Sequence, residues 1–151
     1  MALQTLNQLN KAFNTIANAH LQVKTYGFGQ VMNIATSGTI QHPLMWVELE
    51  NATNRSDGTF YQFTFYLMDI VKNDLSNELE VLSDMFKIAE DIIAEIRHKD
   101  WTFYVIREDI LIDYYTEGFT DKVTGVKFNI NIGTETPNDR CAIPETSITR
   151  T

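Results

Sequence analysis

Asp109 and Asp113 stand four residues apart in "REDILIDYY", with Ile110, Ile112 and Tyr114 set between and beside them. On a strand that spacing turns both carboxylates to one face. A pair of carboxylates can share acid and base work or hold a divalent cation. The plainer reading is the solvated side of a half-exposed strand, whose apolar neighbours turn inward.

Other candidate groups lack the company that chemistry needs. His20, His42 and His98 are not spaced from one another, or from a cysteine or carboxylate, as a zinc or metalloprotease motif requires. Gly27 and Gly29 in "YGFG" have no third glycine and no Lys-Ser/Thr pair behind them, so a turn or bulge explains them better than a phosphate cradle. Ser37 and Ser83 have no nucleophile-elbow context, and Cys141 lies in a Pro-flanked tail with no base supplied by local sequence. The aromatic run "TFYQFTFY" contains no Lys or Arg, so it reads as core packing rather than as a platform for nucleic-acid bases. The expectation is a protein that is not an enzyme and carries no catalytic residue, cofactor or metal.

Composition narrows the class further. A chain of 151 residues with 44% hydrophobic content can bury a real core without disulfides or metals. Its single cysteine has no partner, which points to a reducing site of synthesis. The first residues, "MALQTLNQLNKAF", lack the basic start and continuous apolar stretch of a secretory signal, and no 18 apolar residues run together. A soluble protein made in a cytoplasm, with no membrane association, is expected. The formal charge of −8, with scattered Lys and Arg, disfavours sequence-specific nucleic-acid binding, because such binding rests on basic groups neutralising phosphates. It suits a basic partner, the wall of a passage through which DNA slides without sticking, or ordinary solubility.

Periodicity supplies the elements that would position these groups. Leu3, Leu6, Leu9, Phe13, Ile16 and Ala17 predict an amphipathic helix over 3–19, whose polar face is rich in Asn and Gln. A strand is expected near 21–27. "PLMWVELE" and "TFYQFTFYLMDI", separated by "NATNRSDG", predict a hairpin whose tip of about eight residues projects from the body. Tyr61, Phe63, Phe65 and Leu67 share one face. A second helix is predicted over 76–98, with Asn77 and Glu80 as a capping box and Arg97 and His98 at its negative end. Its stripe is Leu79, Leu82, Phe86, Ala89, Ile93 and Ile96, widened by Val81, Met85, Ile88 and Ile92. Strands follow near 101–106, 109–115 and 125–132, the last two separated by the loop "TEGFTDKVTG". In the last strand Val126, Phe128, Ile130 and Ile132 should cover the long helix, leaving Lys127, Asn129 and Asn131 facing either a subunit junction or solvent.

This order predicts one α+β domain over 1–133, a mainly antiparallel sheet packed against one long helix and an N-terminal helix, followed by an extended C-terminal arm over 134–151.

Four stretches, "LNQLNKAFNTIANAHLQVKTYGFG", "IATSGTIQHPLMWVELE", "FYLMDIVKNDLSNELEVLSD" and "EGFTDKVTGVKFNINI" with "DRCAIP", carry a resemblance over about 3–144. They resemble small virion proteins of tailed phages infecting Bacteroidetes, crAss-like phages included, encoded among head–tail genes. The order of elements is similar to the tail-terminator and tail-completion fold of phage necks. The resemblance implies a structural protein of the virion, located at the head–tail junction or tail and forming a homo-oligomeric ring of six or twelve copies around the DNA passage. Its neighbours would be portal, neck or tail proteins. A soluble adaptor binding another phage or host protein is the alternative.

Ring subunits meet head to tail through two different surfaces. The projecting tip, the 116–125 loop and the tail offer spare surface for this, and the expected interface residues are Asn54, Arg55, Asp57, Phe119, Asp121, Lys122 and Arg140.

Overall fold

The computed structural model describes residues 5–36, 40–72, 74–98, 101–106, 109–118 and 122–134. Leu3, Phe119, Asp121, Arg140 and the arm beyond Thr134 therefore lie outside the described residues.

The apolar spacing at the N-terminus folds as helix α1, Leu6–Ala19. Its start is fixed by a capping box not anticipated above: the Gln8 amide N–H donates to Thr5 Oγ1 at 3.2 Å, and the Thr5 N–H donates to Gln8 Oε1 at 2.8 Å. Helix α2, Glu78–Ile96, is shorter at both ends than its pattern suggests. Asn77 sits at its N-cap without a side-chain cap bond, because its Oδ1 instead accepts from the Lys72 amide at 2.9 Å. Arg97 is the C-cap residue, so neither it nor His98 lies in the last turn.

The strands are β1 Thr25–Phe28, β2 Leu44–Arg55, β3 Gly58–Ile70, β4 Phe103–Val105, β5 Ile112–Gly118 and β6 Lys122–Thr134. They form one curled, mixed sheet in the order β1-β2-β3-β6-β4, with β5 also on β6. Four of the five ladders are antiparallel, and β1 runs parallel to β2. A parallel neighbour requires a long crossover. Residues 29–43 make it, passing through a short 3-10 helix, Val31–Thr36. The architecture is α+β.

Two expected loops are strand instead. The β2–β3 ladder continues to Arg55 opposite Gly58, so the hairpin tip is a turn at Ser56 and Asp57. Cross-strand carboxamide bonds hold this polar end together: Asn51 Nδ2 donates to Gln62 Oε1, and Asn54 Nδ2 to Thr59 Oγ1, each at 3.1 Å. Likewise β5 and β6 stay paired as far as Gly118 opposite Lys122, which leaves little of the expected 116–125 loop.

Both helices pack on one face of the sheet. Phe13 is the pivot, fully buried and edge-on to Phe63, Phe65 and Phe103 at 5.1, 5.0 and 6.0 Å between ring centroids. Val126, Phe128, Ile130 and Ile132 are buried on this face with α2, as their alternation requires. The centre of the α2 stripe is rotated from the expected one: Val81, Met85, Ile88 and Ile92 are buried, Leu82 and Phe86 are half-buried, and Leu79 is 81% exposed. On the opposite face a smaller cluster, Ile34, Leu44, Trp46, Met68 and Val123, lies beneath the crossover.

Candidate functional site

Beyond that second cluster the outer face of the sheet turns polar. Pairing fixes who meets whom: Thr64 lies between Glu48 on β2 and Asn129 on β6, Gln62 between Asn51 and Asn131, and Tyr66 between Trp46 and Lys127. On the far side Asp113 of β5 faces Lys127. Strands β4 and β5 both pair with β6, and the chain between them forms one wall through Asp109, Ile110 and Leu111. The result is a trough of about 590 Å³ with an amide-rich floor. Near the hairpin tip a shallower hollow of about 230 Å³ adjoins it, sharing Asn51, Gln62 and Asn131. There Arg55 lies over the Phe60 ring, 4.5 Å from its centroid.

A β-bulge shapes the β2 side. The register slips between Leu49 and Asn51, so Glu50 is the extra residue and the bulge re-aims its carboxylate. The Thr64 hydroxyl lies 2.7 Å from both Glu50 Oε1 and Asn129 Oδ1. A hydroxyl has one proton, so Thr64 donates to one of them at a time.

Glu48 ties this face to the crossover, its Oε2 accepting from the Val31 amide at 2.7 Å. Desolvation raises the Glu48 carboxyl above the ordinary carboxylate range, with the neighbouring Glu50 adding to the effect. Burial, together with the same two carboxylates, pushes the Tyr66 phenol up to about 12.

Asp109 and Asp113 both line the trough, but β5 starts only at Ile112, so Asp109 precedes the strand on which their spacing placed the pair. Neither is hydrogen-bonded or ion-paired among the described residues. His20, weighed above as a metal ligand, is spoken for. Its Nδ1 accepts from the Gln22 amide at 3.2 Å, which leaves Nε2 to carry the proton donated to Asp91 Oδ2 at 2.9 Å. That pair joins the end of α1 to α2 beside a groove of about 380 Å³ that also touches Trp101. Among the described residues no three His, Cys, Asp or Glu side chains converge as a metal site requires. No helix among them is long and apolar enough to cross a membrane.

The expected interface residues separate. Asn54, Arg55 and Asp57 sit together at the hairpin tip, whereas Lys122 begins β6 at the other end of the sheet. Thr134, the last residue of β6, pairs with Thr59 beside the tip, so Lys122 is twelve ladder positions away, roughly 40 Å at strand rise. Spacing along the chain gave no sign of the trough floor, which takes residues from β2, β3 and β6 together. The alternation of Lys127, Asn129 and Asn131 was the one available signal.

No protein-family model matches the chain, and comparison with curated proteins finds no match.

Proposed function

We propose that this chain is a non-enzymatic structural protein of the phage virion that assembles head to tail into a ring at the head–tail junction, around the DNA passage. The observation that supports it is the pair of open and unlike sheet edges. On one side β1 covers β2 only from Leu44 to Val47, and among the described residues no strand pairs with the outer edge of β2 from Glu48 to Arg55. On the other side β4 and β5 end the sheet, with exposed Tyr104 and Tyr114 on them and exposed Ile106 and Leu111 flanking them. A head-to-tail contact needs two different surfaces on each copy, and these two edges differ: the β2 edge is polar and bulged at Glu50, the other is apolar. The acidic balance of −8 suits a wall that DNA passes without adhering. A second reading, an adaptor for another protein, draws on the polar trough.

Native mass measurement of the purified chain across a concentration series tests the proposal, together with imaging of the particles. A closed oligomer of six or twelve copies is expected. A chain that stays monomeric at high concentration and is absent from purified virions would overturn it.

A further inference from the structure

We infer that the outer-face trough is a docking site for an extended basic peptide segment belonging to another protein. Its volume of about 590 Å³ falls in the range of pockets that enclose a drug-sized ligand, which corresponds to a few peptide residues. The floor suits a peptide backbone. Gln62 and Asn129 already receive hydrogen bonds on their side-chain oxygens from Asn51 and Thr64, which leaves their N–H groups to donate to peptide carbonyls, while the Asn131 amide can both donate and accept. The rim sets the charge. Glu50, Asp109 and Asp113 are answered by Lys127 alone, and the two aspartates have no partner among the described residues. Lys or Arg on the ligand would supply the missing counter-charge, and Ile110 and Leu111 would receive their aliphatic stems.

Other occupants match less well. Phosphate-rich chains are repelled by this rim. The chain's own C-terminal residues include Arg140 and Arg150, but Glu135, Asp139 and Glu145 outnumber them. The trough lies within one copy, and its Glu50, Asn51 and Leu111 adjoin the edges proposed for the ring contact.

The test uses the full chain and two capped eight-residue peptides, one alternating Lys with Thr and the other Glu with Thr. Side-chain amide signals of Gln62, Asn129 and Asn131 are followed by nuclear magnetic resonance. The Lys peptide is expected to shift all three and the Glu peptide none. D109N/D113N, at two exposed positions, should weaken the Lys peptide about tenfold or more with an unchanged circular dichroism spectrum, a loss of about 1.4 kcal/mol. Unmoved amide signals, equal binding of the two peptides, or unchanged affinity in the folded double variant would overturn the inference. So would displacement of the Lys peptide by a neutral oligosaccharide, or amide shifts produced by Arg140→Glu alone, which would make the chain's own arm the occupant.

Discussion

The six-membered ring of Trp46 packs against Gly27 on the neighbouring strand, so close that a Cβ added there would sit 2.2 Å from both Cε3 and Cζ3. Gly27 is needed for room, since its φ lies outside the left-handed region. The ring is further held by its Nε1–H, which donates to the Gly29 carbonyl at 2.9 Å. Gly27→Ala should displace the indole, weaken that bond and cost about 1–3 kcal/mol, as overpacking does. Urea unfolding followed by circular dichroism measures the cost. The same variant should red-shift the Trp46 emission, and unchanged stability would show that the ring moves aside freely.

Phe13 is the only residue of α1 in ring contact with three sheet aromatics, so its loss should separate helix from sheet more than any other single truncation there. Phe13→Ala is expected to cost about 3–5 kcal/mol and Phe13→Leu clearly less. By contrast Thr5→Ala removes one half of a capping box and should cost about 1 kcal/mol. Denaturant midpoints of the three variants give the ranking directly. Thr5→Ala as costly as Phe13→Ala would mean that α1 is held by its cap rather than by its aromatic anchor.

What could be read from the chain, and what could not, follows from how local each signal is. Periods of 3.6 and 2 located α1, α2, β3 and β6, because a helix or strand buried on one face repeats its burial along the chain. The hairpin tip misled because Asn51, Thr53 and Asn54 have loop-like composition, yet Asn51 and Asn54 satisfy their side chains across the strand pair. The bulge at Glu50 hid the trough, since one extra residue swaps the faces of everything beyond it. Lys127, Asn129 and Asn131 could be assigned to the outer face from their alternation. Their neighbours Thr64 and Gln62 come from a strand more than sixty positions earlier in the chain, which no local pattern reports.

Stability should depend on pH through Glu48. Its folded-state carboxyl is raised, by desolvation first and then by Glu50, so the folded chain holds this proton more tightly than the unfolded chain does. The sign follows from linkage: the contribution is fully present below the ordinary glutamate value and is lost as pH rises through the raised folded one. Glu48→Gln keeps a carbonyl oxygen for the Val31 amide and removes the charge. It should therefore gain stability relative to the parent as pH climbs from about 4 toward neutrality. A difference that stays flat over this window would assign the effect elsewhere. Removing that charge should also lower the Tyr66 ionisation from about 12, read by ultraviolet titration in the alkaline range.

Assembly, on the reading proposed above, depends on the β4–β5 edge, and this can be separated from folding. Leu111 and Tyr114 are 76% and 70% exposed, so replacing both with Glu removes little buried area within one copy. Surface changes of this kind usually alter stability by about 0.5 kcal/mol or less. A neighbouring copy would see them differently, since two carboxylates would have to be desolvated where an apolar rim had been covered. The double variant should keep its circular dichroism spectrum and denaturant midpoint yet sediment as a monomer at concentrations where the parent forms a ring. Full oligomer formation by the variant would rule out this edge and shift attention to the hairpin at Asn54 and Arg55. Asn54→Asp and Arg55→Glu are the corresponding changes there, with sedimentation again as the measurement.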